Sequence, residues 1–179
     1  SMQREKPITE IVGWRLRNTL VLSAVAALIG IPLAVLLGII AGLRRDRLFD
    51  MAASGTALVA MTIPEFVSAT LLILVFAVGL GWTAGVVTIG YKAPLLEMVS
   101  AAFLPAVVLS MVLAAHIMRM VRASVIDVLK SDFVLMARLK GVPQQQIIWR
   151  HVVPNSLLPV ISVIGLTVVA VGTSLPELI

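Results

Sequence analysis

The sequence contains no cysteine, which excludes a disulfide framework, a thiolate metal site and a cysteine nucleophile. It is also poor in charge and in aromatic side chains, at 13% and 5% of 179 residues. Soluble domains carry about 25% charged residues, so there is too little polar side chain here to cover a water-facing surface. Apolar residues stand in their place: 60% of the chain is hydrophobic and the mean hydropathy is +1.08. A chain of this length has too little interior to hide that much apolar surface, whereas lipid tolerates it on the outside. The same numbers exclude disorder.

The formal net charge is +5 and the pI near 10.5. In a soluble protein that balance would point to nucleic acid. Here most of the cations fall in two groups, Arg44, Arg45 and Arg47, then Arg119, Arg122, Lys130, Arg138, Lys140 and Arg150. That is the clustering of cytoplasmic loops under the positive-inside bias, and the chain is poor in aromatics, so nucleic acid is not an expected partner. Residues 1–18 form a polar flank without the apolar stretch of a signal peptide.

Four apolar runs predict an all-α integral membrane protein, with spans at about 19–43, 57–82, 101–124 and 157–179. The first carries no charge from Thr19 to Leu43, and Ala26, Gly30, Ala34, Gly38 and Gly42 recur in it every four residues. Such a small-residue stripe lets another helix approach closely, while Pro32 predicts a kink. The second run is too long for one straight crossing, so a break is expected at Ile63-Pro64. Residues 83–100 hold one cation and form a loop on the side away from the Arg groups. This alternation leaves Arg4, Lys6, Arg15 and Arg17 outside, against the charge bias, an orientation that a preceding helix would impose.

The most polar stretch lies between the last two spans, at 130–151. Ser131 or Asp132 is placed to cap a short helix through Lys140, Gly141 to end it, and Val142-Pro143 to start a second helix reaching about His151. Phe133, Met136 and Ala137 give the first of these an apolar face with no core of its own, hence a docking face. Glu65 just after Pro64 reads either as an embedded functional acid or as a carboxylate at a helix N-terminus, and the latter is preferred. His116 is read as a packed or helix-bridging histidine. The sequence holds no phosphate loop and no nucleophile with a base nearby, so no catalysis is expected of it and no cofactor.

Asp132-Phe133-Val134, Ala137-Arg138, Lys140-Gly141, Arg150-His151, Asn155 and Leu158-Pro159 together resemble the cytoplasmic EAA loop of bacterial ATP-binding-cassette importer permeases of the peptide and nickel branch. The likeness reaches back through Arg119 to Arg122, Phe103 to Pro105, Ile63-Pro64-Glu65-Phe66, Asp50 and Gly30-Ile31-Pro32. It implies a MetI-like transmembrane bundle in the bacterial inner membrane. The implied partners are a second permease subunit, cytoplasmic ATP-binding subunits and an extracytoplasmic substrate-binding protein. Asp132, Phe133, Met136, Ala137, Arg138, Lys140 and Gly141 would couple to the ATPase through a coupling helix. Phe133 stands where relatives have Tyr and Leu139 where they have Ala. Members have about six spans, of which this sequence shows four to five segments. The tail departs from the permease pattern: Gly172 to Glu177 resembles an ion-binding repeat of cation/calcium exchangers, in which Thr173, Ser174 and Glu177 would supply oxygen ligands. A secondary exchanger, or an inactive membrane fragment, is therefore the alternative to the importer.

Overall fold

The computed structural model describes residues 8–81 and 95–174, and most of their side chains. Those residues form seven α-helices and two π-helical segments, with no strand among them. Helix α1 spans Ile8–Leu43, α2 Leu48–Thr62 and α3 Glu65–Leu72, the last running into a π-helical segment at Ile73–Gly79. Helix α4 spans Leu95–Leu129, α5 Asp132–Leu139 and α6 Gln144–Ile147; a π-helical turn at Ile148–Val152 leads into α7, Val153–Ser174.

Several boundaries differ from those expected of the sequence. Most of the polar flank is helical, because α1 begins at Ile8 and continues through Pro32. The chain does break at Ile63-Pro64, with Glu65 as the first residue of α3, which agrees with a helix N-terminus at that acid. Its side chain lies outside the described residues. Helix α4 starts at Leu95, earlier than the 101 expected, and residues 82–94 of the expected outer loop are not described. The second elbow helix does not stop near His151 but continues through the π turn into α7.

Two helices, Leu16–Leu43 and Pro105–Leu129, are long and apolar enough to cross a membrane, and the sharply bent pair Leu48–Thr62 and Phe66–Gly79 makes a third if it counts as one broken span. These two straight helices make the most extensive contact in the chain. Their register is constant: Gly30 lies against Ser110, Gly38 against Met118 and Val121, and Gly42 against Val125. Numbers rise together along both helices, so α1 and α4 run parallel. Chain connectivity then requires the segment between them, which contains the broken α2–α3 unit, to return across the bundle.

Close approach is what the small residues provide. A Cβ at Gly38 would lie 2.7 Å from both the Met118 carbonyl oxygen and Val121 Cβ, and one at Gly42 2.7 Å from Val125 Cγ1. Ala26 and Ala34 complete the stripe and are fully sealed by the same packing. The core cluster centred there includes Ala34, Ala41, Leu113, Ile117, Met118, Val121 and Val125. It also takes in Val134, Ile147, Val152 and Val160, so the elbow and the start of α7 share the core of the bundle.

Candidate functional site

The elbow begins where α4 ends. Ser131 occupies the N-cap position of α5, but its hydroxyl donates back to the Val128 carbonyl oxygen and caps no free N–H of the new helix. The end of α5 is closed by backbone alone. The Gly141 amide donates to the Arg138 carbonyl at 3.0 Å and the Val142 amide to the Ala137 carbonyl at 3.1 Å, the paired bonds of a Schellman turn. Gly141 sits at φ 74°, in the left-handed region that costs a side-chain-bearing residue about 1–2 kcal/mol.

This turn folds α6 back beneath α5. Val134 and Ile147 are sealed into the core, and Ala137 and Val142 pack partly against it. Ala137 thus packs partly against the core from a half-buried position on α5, and the elbow does have a core to enter. The outer side carries Asp132, Phe133, Met136 and Lys140 together with Leu135 and Leu139, all exposed. Leu139 is 72% exposed and Met136 58%, an unusual display for apolar side chains on a helix of eight residues. Arg138 is exposed beside them. Leu139 was noted in the sequence as a departure from relatives, but Leu135 was not singled out; its spacing of four from Leu139 on an outward face was the available signal. Trp149, 67% exposed at the π turn, adds a further apolar group near the elbow.

Above the elbow lies an ion pair that sequence reasoning also missed. Arg122 on α4 donates from Nε to Asp50 Oδ1 and from Nη2 to Asp50 Oδ2, the latter at 2.6 Å. Asp50 on α2 is 2% exposed, and its carboxylate also accepts the Asp46 amide at 3.0 Å and the Ser54 hydroxyl at 3.3 Å. A two-pronged guanidinium–carboxylate contact fixes both distance and orientation. It ties α2 to α4 one turn above the level where Gly42 meets Val125. The signal in the sequence was one acid and one arginine, each placed at the edge of an apolar run.

The remaining side of α4 is open. His116 is exposed, so it neither packs in the core nor bridges helices among the described residues. Arg119 is exposed as well and its Nη1 meets Met61 Sδ at 3.4 Å. A groove of about 500 Å³ follows between α4 and α7, lined by residues including Ala123, Ser124, Asp127, Ser131 and Asn155. Ser124 donates to the Ser156 carbonyl at 2.7 Å, which clamps the two helices behind it. Thr173 and Ser174 end α7, while their side chains and Glu177 lie outside the described residues, so the geometry of the exchanger-like tail is not described.

Comparison with known proteins bears on both ends of this picture. The chain is 39% identical over 152 residues to the oligopeptide transport system permease protein OppB of Salmonella typhimurium, covering 85% of this chain and 48% of that protein. It is 31% identical over 169 residues to the oligopeptide transport system permease protein AppB of Bacillus subtilis, covering 93% and 54%. For OppB of Escherichia coli K12 the identity is 38% over 152 residues, covering 85% and 48%. The chain thus spans about half the length of the curated relatives it matches. A family model for the inner membrane component of binding-protein-dependent transport systems matches residues 34–178. That match includes the Gly172 to Glu177 segment, so the tail falls within the permease pattern and does not depart from it. A bundle that is all-α among the described residues, an exposed elbow between α4 and α7 and a family match across most of its length lead to one conclusion: this chain belongs to the binding-protein-dependent transport system inner membrane components.

Proposed function

We propose that this chain is a multi-pass permease subunit of an ATP-binding-cassette importer for peptides in a bacterial inner membrane. In this reading a second permease subunit completes the pathway, and an extracytoplasmic protein delivers the solute. Separate cytoplasmic subunits hydrolyse the ATP. The observation that carries the proposal is the elbow: a short helix with Phe133, Leu135, Met136 and Leu139 turned outward, anchored by Val134 and Ile147 in the core of the bundle.

The physical role follows from those two sides. The outward apolar side is suited to a groove on an ATPase, where burying it recovers about 25 cal/mol per Å². The inward side makes the elbow continuous with α4 and α7, so displacement of α5 is passed to the spans and not absorbed by a loose loop. At the base, Asp50–Arg122 joins α2 to α4, and the glycine contacts join α1 to α4. Closure of the ATPases would then move a unit, which is what alternating access requires.

A charge on the docking side tests this. In the complete transporter reconstituted in proteoliposomes, Met136→Asp is expected to abolish ATP-driven uptake of trialanine while the permease still purifies at the parent yield. Uptake unchanged by Met136→Asp would refute the coupling role of α5. Uptake by the parent that needs no ATP, with calcium flux, would favour the exchanger reading of Thr173, Ser174 and Glu177 instead.

A further inference from the structure

We propose that the exposed face of α4 lines the inner half of the solute path and that Arg119 is the counter-charge a solute carboxylate meets there; this rests on the importer reading above. His116, Arg119, Ala123 and Asp127 follow one another at spacings of three and four, and all four are exposed. Such spacing puts them on one side of the helix, turned away from the side where Ile117 and Val121 are sealed against the core. They sit within Pro105–Leu129, a segment long and apolar enough to cross a membrane.

Depth follows from the register with α1. Gly42 meets Val125, and Arg44 and Arg45 come directly after the end of α1, so the membrane surface lies near the level of Val125. Arg119 is then about 9 Å further in, at about 1.5 Å per residue, and His116 one turn deeper still. Ionisable side chains at that depth face water or protein, not acyl chains. Asp50 does not neutralise Arg119, because both its oxygens bind Arg122. Among the described residues Arg119 meets the Met61 thioether, a weak acceptor.

The route toward the basic end is open, and Ser124, Asp127, Ser131 and Asn155 set polar groups along an otherwise apolar lining. From the level of Ala123 the groove of about 500 Å³ runs past Asp127 and Asn155, room for a chain of water molecules or the backbone of a small solute. A guanidinium one turn above such a groove, with no carboxylate on it among the described residues, can pair in two-pronged fashion with an incoming one, the group that every linear peptide carries at its C-terminus.

These 179 residues hold no cysteine, so each substitution adds one thiol to this segment and labelling is read against the parent transporter. In inside-out vesicles holding the complete transporter, Ala123→Cys is expected to react with a membrane-impermeant thiol reagent, while Leu36→Cys, on an exposed apolar position of α1, stays unreactive. An unreactive Ala123→Cys would mean that lipid or a second subunit covers this face, and would overturn the proposal. In proteoliposomes, Arg119→Gln is expected to lower ATP-driven trialanine uptake about tenfold and Arg119→Lys to retain most of it, because the charge is what is required. Full uptake by Arg119→Gln, or equal loss in both variants, would refute the counter-charge assignment. Absence of ATP-driven uptake in the parent would instead count against the importer reading, and the thiol reactivity would still decide whether the face is wet.

Discussion

A methyl group added at Gly38 should loosen the bundle more than the same methyl at Gly55, although both sit inside helices. The added Cβ at Gly38 would lie 2.7 Å from the Met118 carbonyl oxygen and 2.7 Å from Val121 Cβ, against the ~3.5–4.0 Å at which carbon atoms are in best contact. Helix α1 must therefore retreat by about 0.5–1 Å, which forfeits a quarter to a half of each dispersion contact along the seam. Ala34 and Ala41, both 0% exposed, lie on that seam. Overpacking of this kind costs about 1–3 kcal/mol, set against about 1 kcal/mol gained when Gly becomes Ala in a helix. Gly55→Ala takes only the gain, since nothing lies within 4 Å of the Cβ it would add. The two variants should then differ by about 1–3 kcal/mol, or roughly 2–12 °C in melting midpoint at about 2–4 °C per kcal/mol. Thermal unfolding of detergent-purified protein, followed by helical circular dichroism, measures the gap. Gly30→Ala, whose nearest contact is 3.0 Å to the Ser110 carbonyl, should fall between them. Val121→Ala should not rescue Gly38→Ala, because the Met118 carbonyl stays where it is. Equal midpoints for Gly38→Ala and Gly55→Ala would refute the close-packed seam.

Removing either partner of the Asp50–Arg122 pair leaves a charge without its counter-ion, so Asp50→Ala and Arg122→Ala should each cost about 3–5 kcal/mol, and the double variant less than their sum; additive losses in the same melting assay would show that the pair is not coupled. Gly141→Ala forces a side chain into a φ of 74° and should cost about 1–2 kcal/mol while lowering uptake per ATP hydrolysed, whereas Gly141→Asn should be better tolerated; identical transport ratios in all three proteins would show that the turn is not needed. Ala137→Asp should lower the melting midpoint as well as uptake, since the residue packs against the core; lost uptake at an unchanged midpoint would place Ala137 on the docking side. Glu177→Gln should leave ATP-driven uptake at the parent rate, because a carboxylate essential to a calcium site has no such role in a permease; a nucleotide-independent calcium flux lost on this substitution would reverse that assignment.

What could be recognised in the sequence was whatever depends on neighbours along the chain. The charge-free run to Leu43, the break at Ile63-Pro64, the stop at Gly141 and the small-residue stripe are all local patterns with a direct physical cause. The start of α4 at Leu95 and the helical state of residues 8–18 were missed because polarity marks where a helix leaves lipid, not where it ends. The partial burial of Ala137 was not legible because three apolar residues at spacings of three and four define a face, but not which way it points. That direction is set by Val134 and Ile147 entering the core, a contact between segments that no local window contains.

The same reasoning explains why α4 was the least legible element although its sequence is rich in signals. A single circumference has to meet three demands besides the Ser124 bond to α7. One side accepts the glycines of α1, a second presents Arg122 to Asp50 on α2, and the third, with His116, Arg119, Ala123 and Asp127, is left open. Arg119 and Arg122 are three residues apart and look alike as letters, and their positions on the helix differ by only about 60°. That small rotation decides whether a guanidinium closes a structural pair or stays available to a solute. The choice is made by the rise and register of α1 against α4, which puts Asp50 within reach of Arg122 and leaves Arg119 with the Met61 sulfur. Close glycine packing on one face of α4 is thus also what determines which charge is exposed on another.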